Sequence, residues 1–276
     1  MTNQELRALY ERVYARGQET FFTFPTADVS EEVRRELDWE GLEVLEVGCG
    51  SGHTSALLAE AGARVLAVDY VESAVAQARA RYRHRNLRFE VMSFEDVTGD
   101  YDAIVAQEVI EHTDDPLEFL RRMKQCLRPD GRIVVTCPNF TNIRGVVWMT
   151  LQVLLEVPMS LTDKHFICPF DMEKWSQELG LECCWRTFRH GQAHGEDLVL
   201  DFRKRLTNAL RDANLDNSRV DRFLYWLDRS RRYDADSVSN GAKALYRLQR
   251  RSSTTDSAPR GESGCASLSQ SSTPPS

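Results

Sequence analysis

Short apolar and β-branched runs alternate with amphipathic stretches along most of the chain. LEVLEV (42–47), RVLAV (64–68), RFEVM (88–92), YDAIVA (101–106), RIVVTC (132–137) and LECCWRTF (181–188) read as strands. TSALLAEAG (54–62), ESAVAQARARY (72–82) and PLEFLRRMKQCL (116–127) carry the helical period between them. Strands alternating with helices of this length imply βαβ units, a parallel sheet and right-handed crossovers. One helix start is well signed: Asp115 can cap, Pro116 suits the first helical position, and Glu118 stands at N3. RPDG (128–131) marks the stop and a turn into the next strand.

The flanks read differently. Residues 1–38 form a helical extension ahead of the sheet, and 202–236 form a charged helical insertion before the last strand. The buried face of that insertion would carry Leu206, Leu210, Phe223, Leu224 and Leu227. AKALYRLQR (242–250) reads as a final strand returning to the sheet. From Arg251 the chain is Ser, Thr, Pro and Gly with few apolar residues, too little to offset ordering entropy, so 251–276 is expected to be disordered. The expected organisation is an extension (1–38), one α/β domain (39–250) and a tail (251–276).

Charge narrows the partners. A formal net charge of -7 and a pI near 5.5 argue against an open electrostatic grip on nucleic acid. The charged N-terminal segment has no apolar core of the secretory kind. GVVWMTLQVLLEV (145–157) is the longest apolar stretch, broken by Gln152 and Glu156 and too short to span a bilayer. Seven cysteines without a C-x-x-C pattern point to a reduced, cytoplasmic protein lacking a zinc knuckle or disulfide frame.

Residues 44–53 read VLEVGCGSGH: a buried strand runs into Gly48, Gly50 and Gly52, and a helix follows. Glycines there permit positive φ and let a ligand lie on bare backbone, while the helix start adds oriented N–H groups. The next strand ends at Asp69, a carboxylate suited to paired ribose hydroxyls. Together these imply a nucleoside-containing cofactor. The dinucleotide fingerprint G-x-G-x-x-G/A needs Gly or Ala at position 53, where this chain has His53. That argues against a nicotinamide-dependent oxidoreductase. Glu46, two residues ahead of the glycines, suits a ligand bearing an amino group.

At these motifs the chain resembles the class I S-adenosylmethionine (SAM)-dependent methyltransferases. The likeness covers roughly residues 40–190 and includes LEVGCGSG, the acid of AVDY, FEVMSFEDV, YDAIVAQEVIEH and LRPDGRIVVTCPN. It implies an α/β, Rossmann-like, seven-stranded and mostly parallel sheet, with helices on both faces and the last strand antiparallel. It would place Glu46, Gly48, Cys49 and Gly50 around the methionine part, Asp69 on the ribose, Tyr70 near the adenine and Gln107 beside the sulfonium. The family often has an Asp after the third strand to hold the adenine amino group. This chain offers Ser93 and Phe94 there, with Glu95 as a substitute and Phe94 as a stacking surface.

QEVIEH (107–112) follows the fourth strand, at the end of the sheet where ligands bind in such folds. In a helical turn Glu108, Glu111 and His112 share one face. The E-x-x-E-H pattern, with His165 some fifty residues on, resembles two groups: ubiquinone-biosynthesis O-methyltransferases, and enzymes that methylate the 2′-hydroxyl at the 3′ end of small RNAs. That likeness implies a divalent metal held by Glu108, Glu111, His112 and His165; the carboxylates favour Mg²⁺ or Mn²⁺, and two imidazoles shift the preference toward Mn²⁺, Fe²⁺ or Zn²⁺. Without metal, His112 is a general base with its ring held by Glu108 or Glu111. A pocket-lining role is the third reading, and His53, His84, His190 and His194 read as solvated or structurally satisfied.

VVWMTLQVLLEVPMSL (146–161) is readable in three ways. It is a lid over an apolar acceptor built from Trp148, Met149, Leu151, Leu154 and Leu155, a membrane-surface segment, or a buried helix. The expected function is methyl transfer to a small molecule, apolar ones included, most naturally at oxygen. The competing functions are a small-RNA terminal methyltransferase, for which no aromatic and basic channel can be assembled, and a non-catalytic SAM-binding scaffold.

Overall fold

The computed structural model describes residues 2–15, 27–160, 162–188, 195–230 and 239–251. The expected tail from 252 onward, His190, His194 and residues 231–236 of the expected insertion lie outside them.

Seven strands form one sheet. They are β1 (Glu43–Val47), β2 (Arg64–Asp69), β3 (Leu87–Val91), β4 (Tyr101–Gln107), β5 (Leu127–Pro138), β6 (Leu181–Phe188) and β7 (Lys243–Arg250). Their spatial order is β3-β2-β1-β4-β5-β7-β6. The first five run parallel, and β7 is antiparallel to both its neighbours. The chain order reverses beside β1, so the carboxyl ends of β1, β2 and β4 border one crevice. The central strands are apolar on both faces because helices cover both: Val44, Leu45, Ala103, Ile104, Val105, Ile133, Val134 and Val135 are all buried.

Nine helices surround the sheet among the described residues. They are α1 (Asn3–Ala15), α2 (Ala27–Arg34), α3 (His53–Glu60), α4 (Glu72–Arg81), α5 (Pro116–Gln125), α6 (Ile143–Met149), α7 (Pro169–Glu178), α8 (Gly195–Asp212) and α9 (Val220–Ser230). The α5 start is built as the sequence implies: the Asp115 carboxylate accepts the Glu118 N–H at 3.0 Å, with Pro116 at the first position. The N-terminal extension is tied into the sheet: Val29 and Val33 are buried, and Arg186 of β6 and Arg247 of β7 reach Glu32 and Glu36 at 2.6 and 3.1 Å.

Three local features differ from expectation. RPDG is not a free turn. It lies within the irregular start of β5, where the register against β4 shifts between Tyr101 and Ala103, as an inserted residue in a paired strand produces. α7 was not predicted, since its cap is Cys168, outside the usual Ser, Thr, Asp and Asn set, closed by Asp171 accepting the Cys168 N–H at 2.9 Å. The 146–161 segment is only part helix. α6 buries Trp148 and passes into a single π-helical turn, Thr150–Leu154. Beyond it Val157 and Met159 are buried against α8 and α9, while Val153 and Leu154 are 63% and 74% exposed.

Candidate active site

β1 carries Glu46 inward and ends in the glycine turn. Gly48, Gly50 and Gly52 have φ of +71°, +51° and +84°, the left-handed region that side chains disfavour. A Cβ on Gly48 would lie 2.6 Å from the Val109 side chain, so the position is closed to larger residues by space as well. The turn is pinned to β2: Gly48 and Cys49 N–H groups both donate to the Val68 carbonyl, at 2.8 and 3.1 Å. Asp69 then closes it. One carboxylate oxygen accepts the Gly50 N–H at 2.9 Å and the other the Val71 N–H at 2.8 Å.

Both acids of this crevice are desolvated. Burial pushes Glu46 up to about 8; its hydrogen bond from Ser55 opposes this and the nearby Asp69 charge adds to it. Burial also raises Asp69, against the two backbone N–H bonds. The Cys49 thiol is raised well above its ordinary value by burial, then by the same two acids. Tyr70, next to Asp69, is pushed up to about 12 by burial, and the Arg7 guanidinium stands 5.9 Å over its ring. An ammonium-bearing ligand would favour the ionised form of Glu46 in this buried pocket. After β3, Ser93 bonds the Glu95 carboxylate, and Phe94 is buried edge-on against Phe119, ring centres 5.2 Å apart. Gln107 ends β4 with its Oε1 2.7 Å from Thr54 and 3.2 Å from Ser30.

The QEVIEH residues diverge. Glu108 has φ +55°, a strained value for a non-glycine, and its carboxylate pairs with Lys243 and accepts the Thr136 hydroxyl at 3.2 Å. Ile110–His112 form a 3₁₀ turn. Its Glu111 is 2% exposed, with Oε2 lacking any partner among the described residues. Burial, then Glu108 and Asp163, hold the Glu111 carboxyl well above the usual range. The Glu111 carbonyl accepts the N–H groups of Lys164 and His165 at 2.9 and 3.1 Å, which pins the 162–165 loop onto the site.

That loop holds His112. Its Nδ1 lies 3.1 Å from the Thr162 carbonyl and 3.5 Å from Asp163. A carbonyl only accepts, so Nδ1 carries a proton, and in the neutral ring Nε2 then offers the lone pair. That lone pair meets the Tyr10 hydroxyl at 3.4 Å. Neither Glu108 nor Glu111 holds the ring, although the sequence offered both. His165 places Nε2 3.0 Å from the Thr113 carbonyl. Among the described residues, one atom each of Glu111, His112 and Asp163 lie within 4.8 Å of one another. Two carboxylates and an imidazole with an orphaned buried oxygen fit a hard divalent cation. Asp163, Tyr10 and Lys243 were missed by sequence reasoning. Asp163 stands two places before His165 in LTDKH, a signal that could have found it; the other two sit in segments with no motif.

A family model described as a methyltransferase domain matches residues 45–135. A ubiquinone biosynthesis O-methyltransferase of Xanthomonas oryzae pv. oryzae (strain PXO99A) is 35% identical over 161 residues, covering 54% of this chain and 67% of that protein. Its counterpart from Pseudomonas aeruginosa (strain UCBPP-PA14) is 29% identical over 153 residues, 51% of this chain and 65% of that protein. The chain thus spans just under two thirds of the Pseudomonas relative's length. Among solved structures, a Synechocystis magnesium protoporphyrin IX methyltransferase with bound S-adenosylhomocysteine (SAH) superposes with a TM-score of 0.54 at 16% identity, covering 82% and 83% of the two chains. A possible histamine N-methyltransferase from Thermotoga maritima gives 0.57 at 14% identity, covering 88% and 99%. With the sheet order, the glycine turn and these relatives together, the chain belongs to the class I SAM-dependent methyltransferases.

No helix among the described residues is long and apolar enough to cross a membrane.

Proposed function

We propose that this chain transfers a methyl group from SAM to a hydroxyl oxygen of a small-molecule acceptor in the cytoplasm, with residues 39–250 as the catalytic unit. The observation that carries the reading is His112: an Nε2 lone pair presented to a hydroxyl, on a ring fixed from behind, at the end of β4 beside the glycine turn. The names of the Xanthomonas and Pseudomonas relatives support oxygen as the methylated atom.

SAM would supply the electrophilic methyl group. The protein's task is then proximity, orientation and one proton. Gly48, Cys49 and Gly50 offer backbone to the methionine part. Glu46 would ionise against its ammonium, Asp69 would take the ribose, Tyr70, Ser93 and Phe94 would border the adenine, and Gln107 would face the sulfonium. His112 Nε2 would accept the acceptor's proton as the oxygen bonds to the methyl carbon and the carbon–sulfur bond breaks, its electron pair staying on the sulfur of departing SAH. Nδ1–H stays on the Thr162 carbonyl, and Asp163 stabilises the imidazolium that forms. The test is SAM turnover against a panel of phenols and alcohols. His112→Ala should lower kcat by roughly 10²–10⁴ with SAM affinity retained; an unchanged kcat removes His112 from the chemistry.

The orphaned Glu111 oxygen supports a second reading, a divalent cation on Glu111, His112 and Asp163. Bound there, Mg²⁺ or Mn²⁺ would acidify and aim the acceptor hydroxyl. Glu108 would join only by releasing Lys243, and His165 by leaving Thr113. Mn²⁺ titration followed by calorimetry should show one site, lost in Glu111→Gln; no heat in the parent protein, or an unaltered site in the variant, removes the cation.

A further inference from the structure

Helix α1 contributes nothing to the sheet, yet it is fixed at several points around the site. Its Tyr10 hydroxyl takes the Nε2 lone pair of His112, with the two rings edge-on and their centres 6.1 Å apart. Nδ1 is committed to Thr162, so this is the one lone pair His112 has. An acceptor hydroxyl cannot use it while Tyr10 does. At the other end of the crevice, the Tyr14 hydroxyl stands 2.7 Å from where a Cβ on Gly50 would be. A side chain of α1 therefore lies on the bare backbone that the glycine turn provides.

The attachment of α1 is specific. The N-cap position of α4 is Val71, which supplies no side-chain cap. Glu11 of α1 supplies it instead: its carboxylate accepts the N–H groups of Glu72 and Ser73 at 2.7 and 3.2 Å and the Ser73 hydroxyl at 2.6 Å. A carboxylate at a helix N-terminus is favoured both by the orphan N–H groups and by the helix dipole. Gln77, one turn on, donates to the Tyr14 carbonyl at 2.5 Å. Leu6 and Val13 are buried beneath the helix.

We propose that α1 is a displaceable gate, latched on α4 by Glu11, which holds Tyr10 and Tyr14 in the places that the acceptor hydroxyl and SAM require. Ligand binding must lift it. The gate rests on the reading of the crevice as a SAM site, and its test separates the two.

The test uses the full chain and SAH as the probe. Amide hydrogen exchange over residues 3–15 is followed with and without SAH, and SAH affinity is measured by calorimetry for the parent protein and Glu11→Ala. SAH should speed exchange over 3–15. Glu11→Ala should tighten SAH binding about five-fold, the size of effect that losing one helix cap has on the closed population. Slower exchange with SAH, or weaker binding by the variant, would make α1 a wall of the site and overturn the gate; no change in either would overturn it too. The exchange comparison needs only the parent protein and stands even where Glu11→Ala folds poorly. SAH binding by neither form would overturn the site itself, and the gate with it.

Discussion

Lys243, the first residue of β7, pairs with the carboxylate of Glu108 at the carboxyl end of β4, and both side chains are largely buried, 9% and 17% exposed. The pair joins the antiparallel strand to the parallel half of the sheet, across the intervening β5. Glu108 also occupies left-handed backbone, so its position is over-determined by its surroundings rather than chosen by its own preference.

Removing one partner of such a pair leaves a desolvated charge. Lys243→Met is expected to cost about 3–5 kcal/mol in urea unfolding. The double variant Lys243→Met, Glu108→Gln should regain most of that loss, since no buried charge then remains. A single variant as stable as the parent would show that the pair is hydrated and unimportant.

Glu46 makes stability fall with rising pH. Its folded value of about 8 lies above the unfolded value of 4.5, so the folded protein holds this proton more tightly. The stability it lends is complete below 4.5, declines between 4.5 and 8, and is gone above 8. At about 1.4 kcal/mol per pH unit the whole effect is a few kcal/mol. Glu46→Gln should flatten that slope in thermal melts between pH 5 and 8 to the extent that this one group sets it. SAM binding should release a proton near pH 7, read by calorimetry in buffers of different ionisation enthalpy, because the ligand's ammonium favours the carboxylate.

Much of this was legible in the sequence, for reasons particular residues make plain. The strands of the parallel core are continuous apolar runs, such as RIVVTC, that only a sheet covered on both faces can bury. The glycine turn and Asp69 are local signals, a few residues on consecutive elements. The ion pair and hydrogen bonds that shape the acceptor side are not local. Glu108 finds Lys243 135 positions away, His112 finds Asp163 across a loop, and Tyr10 reaches His112 from 102 positions earlier. The pattern E-x-x-E-H suggests one shared helical face, but the 3₁₀ turn begins only at Ile110 and the backbone reverses hand at Glu108, so the two glutamates part.

Gly48→Ala tests the turn. The substitution meets both a positive φ and the Val109 side chain 2.6 Å from the new Cβ. It is expected to destabilise the fold by about 1–3 kcal/mol and to abolish measurable SAM binding. Gly41→Ala serves as the control, because it shares a positive φ but has nothing within 4 Å of the new Cβ. It should lose stability alone, with SAM affinity kept.

Calorimetry of SAM and NAD against the parent protein and Asp69→Asn tests the central claim most directly. The parent should bind SAM and leave NAD unbound. Asp69→Asn should weaken SAM at least about ten-fold, the scale of a lost charge-assisted hydrogen bond. Tight NAD binding without SAM binding, or SAM affinity indifferent to the residue at position 69, would contradict the account.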